Sequence, residues 1–94
     1  MTDAGALVRE AIALANAGED QAAQQRFSEA LARFPNDARV ANSAGNFHAR
    51  ARRNEAALAH FLRALELEPD FAEAAANLAR TAQQIVAEHG RDRK

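Results

Sequence analysis

The feature that most constrains this chain is an internal period of 34 residues. Ala23-x3-Phe27-x2-Ala30-Leu31-x3-Pro35 recurs as Ala57-x3-Phe61-x2-Ala64-Leu65-x3-Pro69, every matched pair 34 apart. Segments 4–37 and 38–71 share nine identities, most of them in this pattern. A third copy then begins, Asp37-Ala38-x2-Ala41 being answered by Phe71-Ala72-x2-Ala75, and runs for one helix. A unit of this length buries its apolar face only by stacking on its neighbours. The chain is therefore expected to be an all-α stack of helix pairs.

Local signals place the helices. Of the 94 residues 26 are alanine, the best helix former, and there is no Trp or Tyr. Leu7, Ala11, Leu14 and Ala15 follow the i, i+4, i+7, i+8 spacing of a helix over 4–17. Gly18-Glu19-Asp20 ends it, and a second helix covers 20–33 before Pro35, which cannot continue a helix. Asp37 is expected to cap a helix over 38–51 and Asn54 one over 54–67. Asp70-x-x-Glu73 has capping-box spacing ahead of a fifth helix over 72–89. On that helix Ala75, Leu78, Ala79, Ala82, Ile85 and Val86 read as the packing stripe. Glu73, Asn77, Arg80, Gln84 and Glu88 read as the face turned to water. Residues 90–94 read as a frayed tail or linker.

Several function classes are disfavoured. Twelve Lys and Arg against 13 Asp and Glu leave a net charge of −1, without the basic excess of a nucleic-acid or anionic-membrane binder. The absence of cysteine removes disulfides, thiolate metal sites and thiol nucleophiles. No apolar run is long enough to span a bilayer, and Met1-Thr2-Asp3-Ala4 lacks the start of a secretory signal, so a cytoplasmic protein is expected. His48, His60 and His89 show no i, i+4 pair. His48 reads as structural, and His60 and His89 as surface or boundary residues. No phosphate-binding glycine loop or nucleophile motif occurs, so neither catalysis, nor a metal, nor a cofactor is expected. Arg50, Arg52 and Arg53 cluster at a turn, where they read as solvated cations near a helix C-terminus rather than as an anion site.

The repeated Ala, Phe and Pro positions resemble the tetratricopeptide (TPR) family, as does Asn54-Glu55-Ala56-Ala57-Leu58 followed by Ala64-Leu65-Glu66-Leu67-Glu68-Pro69. The first-helix glycine of that family is present as Gly45, with Ala11 and Ala79 at the equivalent places. Its first-helix aromatics are replaced by Leu14, His48 and Ala82, and its turn glycine is Gly18 in one copy but Arg52 in the next. The resemblance implies two repeats, 4–37 and 38–71, a capping helix over 72–89, and a concave groove lined by the first helix of each pair. Partners there would be peptides or protein segments. The groove candidates are Val8, Ile12, Arg39, Asn42, Asn46, Arg50, Asn77, Arg80 and Gln84. Asn46 and Asn77 resemble the asparagines of the carboxylate clamp of chaperone-adaptor TPRs, whereas Asn42 stands where that clamp has a lysine. Two alternatives accompany the interaction module. One is the N-terminal region of a larger, possibly enzymatic protein. The other is a homodimer formed through Val8 and Ile12.

Overall fold

The computed structural model describes residues 3–92 as five helices joined by tight turns: α1 (Ala4–Asn16), α2 (Asp20–Arg33), α3 (Ala38–Arg50), α4 (Asn54–Leu67) and α5 (Ala72–Asp92). Among the described residues there is no strand, and no helix is long and apolar enough to cross a membrane. Consecutive helices pack as antiparallel pairs, α1 on α2, α3 on α4 and α4 on α5, an all-α repeat arrangement. The N-terminal residues Met1 and Thr2 and the tail residues Arg93 and Lys94 lie outside the described residues.

The turns repeat as the sequence does. At the end of α1 the Glu19 N–H donates to Leu14 O (2.9 Å) and the Gly18 N–H to Ala15 O (3.1 Å). At the end of α3 the Arg53 N–H donates to His48 O (2.9 Å) and the Arg52 N–H to Ala49 O (3.0 Å). Both are paired Schellman bonds, which need a left-handed residue after the helix. Gly18 meets that need at φ 83°, but Arg52 meets it at φ 64° with a Cβ present. After α2 and α4 the residues preceding proline leave the helical region, Phe34 at φ −129°, ψ 61° and Glu68, which is extended, at φ −136°, ψ 92°, because the proline ring disfavours a helical residue before it.

Three local expectations are corrected. Asp37 does cap α3, accepting from the Arg39 and Val40 N–H groups, but Asn54 does not cap α4. Asn54 is the first residue inside that helix, where its buried amide donates to Glu88 Oε1 on α5 (3.1 Å). The Asp70–Glu73 capping box does not form. Helix α5 starts at Ala72, so Glu73 is one position short of the box and turns instead to Asn42. The expected tail is helical through Asp92, because Gly90 keeps a helical backbone.

The core is built on close helix approach. Phe27 and Phe61 are 2% and 1% exposed, and Ala23, Ala30, Ala57 and Ala64 are fully buried. Phe61 lies so close to α3 that a Cβ on Gly45 would sit 2.5 Å from its ring. The equivalent Ala11 packs with Phe27 and Ala23.

The packing of α5 is rotated from the expected one. Its buried side carries Ala74, Asn77 and Thr81, with Leu78, Ile85 and Glu88 half-buried. Ala75 and Ala79, expected inside, are exposed, and Val86 is 71% exposed. Alanine on nearly every side of this helix makes its burial face a weak function of hydrophobicity. The pairing of Asn42 with Asn77 and of Asn54 with Glu88 selects the rotation instead.

Two stability predictions follow from these contacts. Gly45→Ala gains about 1 kcal/mol of helix propensity but overpacks a buried ring at a cost of about 1–3 kcal/mol. A lowered denaturant midpoint is expected, with partial recovery when Phe61→Leu is added. Arg52→Gly removes a left-handed Cβ and should raise stability by about 0.5–1 kcal/mol, whereas Gly18→Ala should lower it by a similar amount.

Candidate functional site

The first helices of the successive pairs, α1 and α3, together with α5, border a groove of about 520 Å³. Its apolar surface comes from Ile12 and Ala15 on α1, Phe27 on α2, and Phe47 and Ala49 on α3. Ser43, Asn46, Arg50 and Arg80 supply the polar groups. Phe27 and Phe47 pack with centroids 5.0 Å apart and ring planes tilted by 33°, an aromatic floor shared by two helix pairs.

The two cations are held by amides. Both terminal nitrogens of Arg50 reach Asn16 Oδ1 at 3.4 Å, and Asn16 is the residue one full repeat earlier. Arg80 Nη2 donates to Asn77 Oδ1 at 3.2 Å. Asn77 in turn donates to Asn42 Oδ1 at 3.1 Å, and Asn42 to Glu73 Oε2 at 3.5 Å. Among the ion pairs of the described residues, none involves Arg50 or Arg80. An amide orients a guanidinium without neutralising it, so the groove carries two positioned positive charges over an aromatic floor.

Of the nine groove candidates, the structure thus brings Ile12, Asn46, Arg50 and Arg80 together. Asn42 and Asn77 are not free anchors. At 4% and 7% exposure they are buried between α3 and α5, bonded to each other. Val8 is half-buried and packs against two core clusters, which removes it from the surface patch once paired with Ile12. Arg39 lines a separate depression at the α2–α3 turn with Phe34, Pro35 and Glu68. Gln84 is half-buried and lies outside the groove lining. Sequence reasoning missed Phe47 and Ser43. Phe47 follows the pattern of no repeated motif, and only its adjacency to His48 marked the region.

The arginine cluster disperses. Arg50 faces the groove, Arg52 is exposed, and Arg53 folds back onto the helices. Arg53 Nε donates to His48 Nδ1 (2.9 Å), Nη1 lies 3.6 Å from Asp20 Oδ2, and the guanidinium sits 5.1 Å from the Phe47 centroid. His48 stacks on His60 with centroids 5.2 Å apart. His60 is therefore a packing residue, while His89 is exposed. Among the described residues, no three His, Asp or Glu side chains converge as metal ligands.

As the acceptor of the Arg53 bond, His48 has its proton on Nε2 and is neutral. Burial, then Arg53, then His60 hold its pKa below the ordinary histidine value, against a smaller opposing pull from Asp20. Burial lowers His60 likewise. The unfolded chain takes up these protons first, so stability is full above the ordinary histidine pKa and declines as pH falls towards the folded values. The urea midpoint is expected to drop between pH 7.5 and about 5.5. In a His48→Gln, His60→Gln chain that drop should be smaller.

No known protein family's model matches the chain, and no curated protein matches it.

Proposed function

We propose that this chain is a TPR-like interaction module that binds an extended segment of a partner protein in the groove between α1, α3 and α5. The segment carries a carboxylate for Arg50 and Arg80 and an apolar side chain for the Phe27–Phe47–Ile12 floor. The observation that carries this reading is the pair of amide-held guanidiniums without a carboxylate partner at the edge of an apolar groove. The internal 34-residue period and the Ala, Phe and Pro positions support the family resemblance. With only two helix pairs and α5 to contact, the affinity is in the micromolar range, about −8 kcal/mol.

The test is titration of fluorescent peptides of the form apolar residue, two-residue spacer, acidic C-terminus, each with a free or an amidated end. Arg50→Ala and Arg80→Ala should each weaken binding about tenfold, the scale of one charged hydrogen bond. Raising salt should weaken it further. Ile12→Ala should weaken it at every salt concentration. Leu62→Ala, on the exposed side of α4, should leave it unchanged. If the α4 change weakens binding and the groove changes do not, the groove assignment fails.

A further inference from the structure

The charges on the groove walls do not balance. Arg26, Arg33, Arg53 and Arg63 each have a carboxylate oxygen 2.6–3.6 Å away. Arg50 and Arg80 are held by the neutral amides of Asn16 and Asn77 instead. A guanidinium carries five N–H donors, and these bonds occupy two on Arg50 and one on Arg80. No carboxylate lines the groove among the described residues: its polar lining is Ser43, Asn46, Arg50 and Arg80. Asp20 borders the adjoining depression with Arg50, where it faces Arg53 at 3.6 Å. Glu73 stands at the far end of the amide chain, on Asn42. The two cations also converge. Ser43, Asn46 and Arg50 follow i, i+3, i+7 on one face of α3. Arg80 stands 34 residues after Asn46, at the equivalent place on α5. Guanidiniums thus reach one groove from two helices, beside an amide and a hydroxyl.

We propose that the acidic group this groove takes is a phosphate monoester on a serine or threonine of the partner segment, its oxygens bound by Arg50 from α3 and Arg80 from α5. The inference rests on the groove reading above and narrows its ligand. A carboxylate brings one negative charge and two oxygens, which leaves one of the two guanidiniums uncompensated. A phosphorylated side chain brings about −1.5 to −2 charges at pH 7 and three acceptor oxygens. That matches both cations in charge and leaves an oxygen for Asn46 or Ser43. The amides fix the guanidiniums before any ligand arrives, so little side-chain freedom remains to be lost on binding. The apolar floor of Ile12, Phe27 and Phe47 selects the source of the phosphate. A free anion has nothing to lay on that floor, whereas a peptide covers it with a neighbouring side chain.

Fluorescent peptides with an apolar residue, a two-residue spacer and then phosphoserine, aspartate or serine, all with amidated ends, are titrated against the full chain. Phosphoserine should bind about tenfold or more tighter than aspartate, and aspartate tighter than serine. In Arg80→Ala the advantage of phosphoserine over aspartate should largely vanish, because a single cation then remains for either group. Arg50 and Arg80 are both exposed, so circular dichroism should not change with their replacement. Arg39→Ala, outside the groove, should leave the advantage intact. Inorganic phosphate should displace the labelled phosphoserine peptide only at concentrations about tenfold or more above those at which the unlabelled peptide does. Equal binding of the phosphoserine and aspartate peptides, both weakened by Arg50→Ala, overturns the phosphate assignment and leaves the groove reading standing. Displacement by inorganic phosphate as readily as by the unlabelled peptide overturns the assignment to a protein segment. If neither acidic peptide binds, or if Arg50→Ala and Arg80→Ala change neither, the groove reading and this proposal fall together.

Discussion

Everything in this structure depends on how closely two helix backbones approach where a phenylalanine crosses a residue with little or no side chain. Phe61 occupies the space that a Gly45 Cβ would fill, and Phe27 packs with Ala11 and Ala23. Leucine-sized side chains at such crossings would push the helices apart and lose the dispersion contacts that a dense interior supplies. The alanine content is thus less a lack of hydrophobicity than the condition for this spacing. The spacing also brings Phe27 and Phe47, from different helix pairs, to 5.0 Å, which creates the groove floor.

A stack joined through small apolar residues gains little specificity from them, because alanine faces are alike. The polar contacts between repeats supply the missing register. Asn77 and Asn42 bond across α5 and α3, Asn54 and Glu88 across α4 and α5, and Arg50 and Asn16 across one full period. The first two contacts involve buried amides whose hydrogen bonds offset the cost of taking them out of water. The Asn42–Asn77 pair also orients Arg80, so one chain of amides serves both the packing of the last helix and the electrostatics of the groove.

The turn between α3 and α4 shows how a repeat absorbs a substitution. Where α1 ends on Gly18, α3 ends on Arg52, yet the two Schellman bonds form in both places. Next to it Arg53 packs over Phe47 and bonds His48, so the second turn is anchored by side chains that the first turn lacks. Strain at Arg52 and the contacts of Arg53 are neighbouring consequences of the same departure from the repeat.

The 34-residue recurrence, the helix spacing and the two prolines are local properties, and from them the sequence by itself determined the number of helices, most of their boundaries and the burial of Phe27, Phe61, Ala23 and Ala57. These follow because backbone restrictions at proline and the 3.6-residue period act within a few residues. The rotation of α5 was not legible. Alanine surrounds that helix, so its hydrophobic pattern barely distinguishes one rotation from another, and long-range amide pairs made the choice. The same choice buried Asn42 and Asn77, which a helical wheel places in the groove beside Asn46, and left Ala75, Ala79 and Val86 facing water. Membership of the groove likewise depended on which residues from α1, α2, α3 and α5 meet in space, and only tertiary packing decides that.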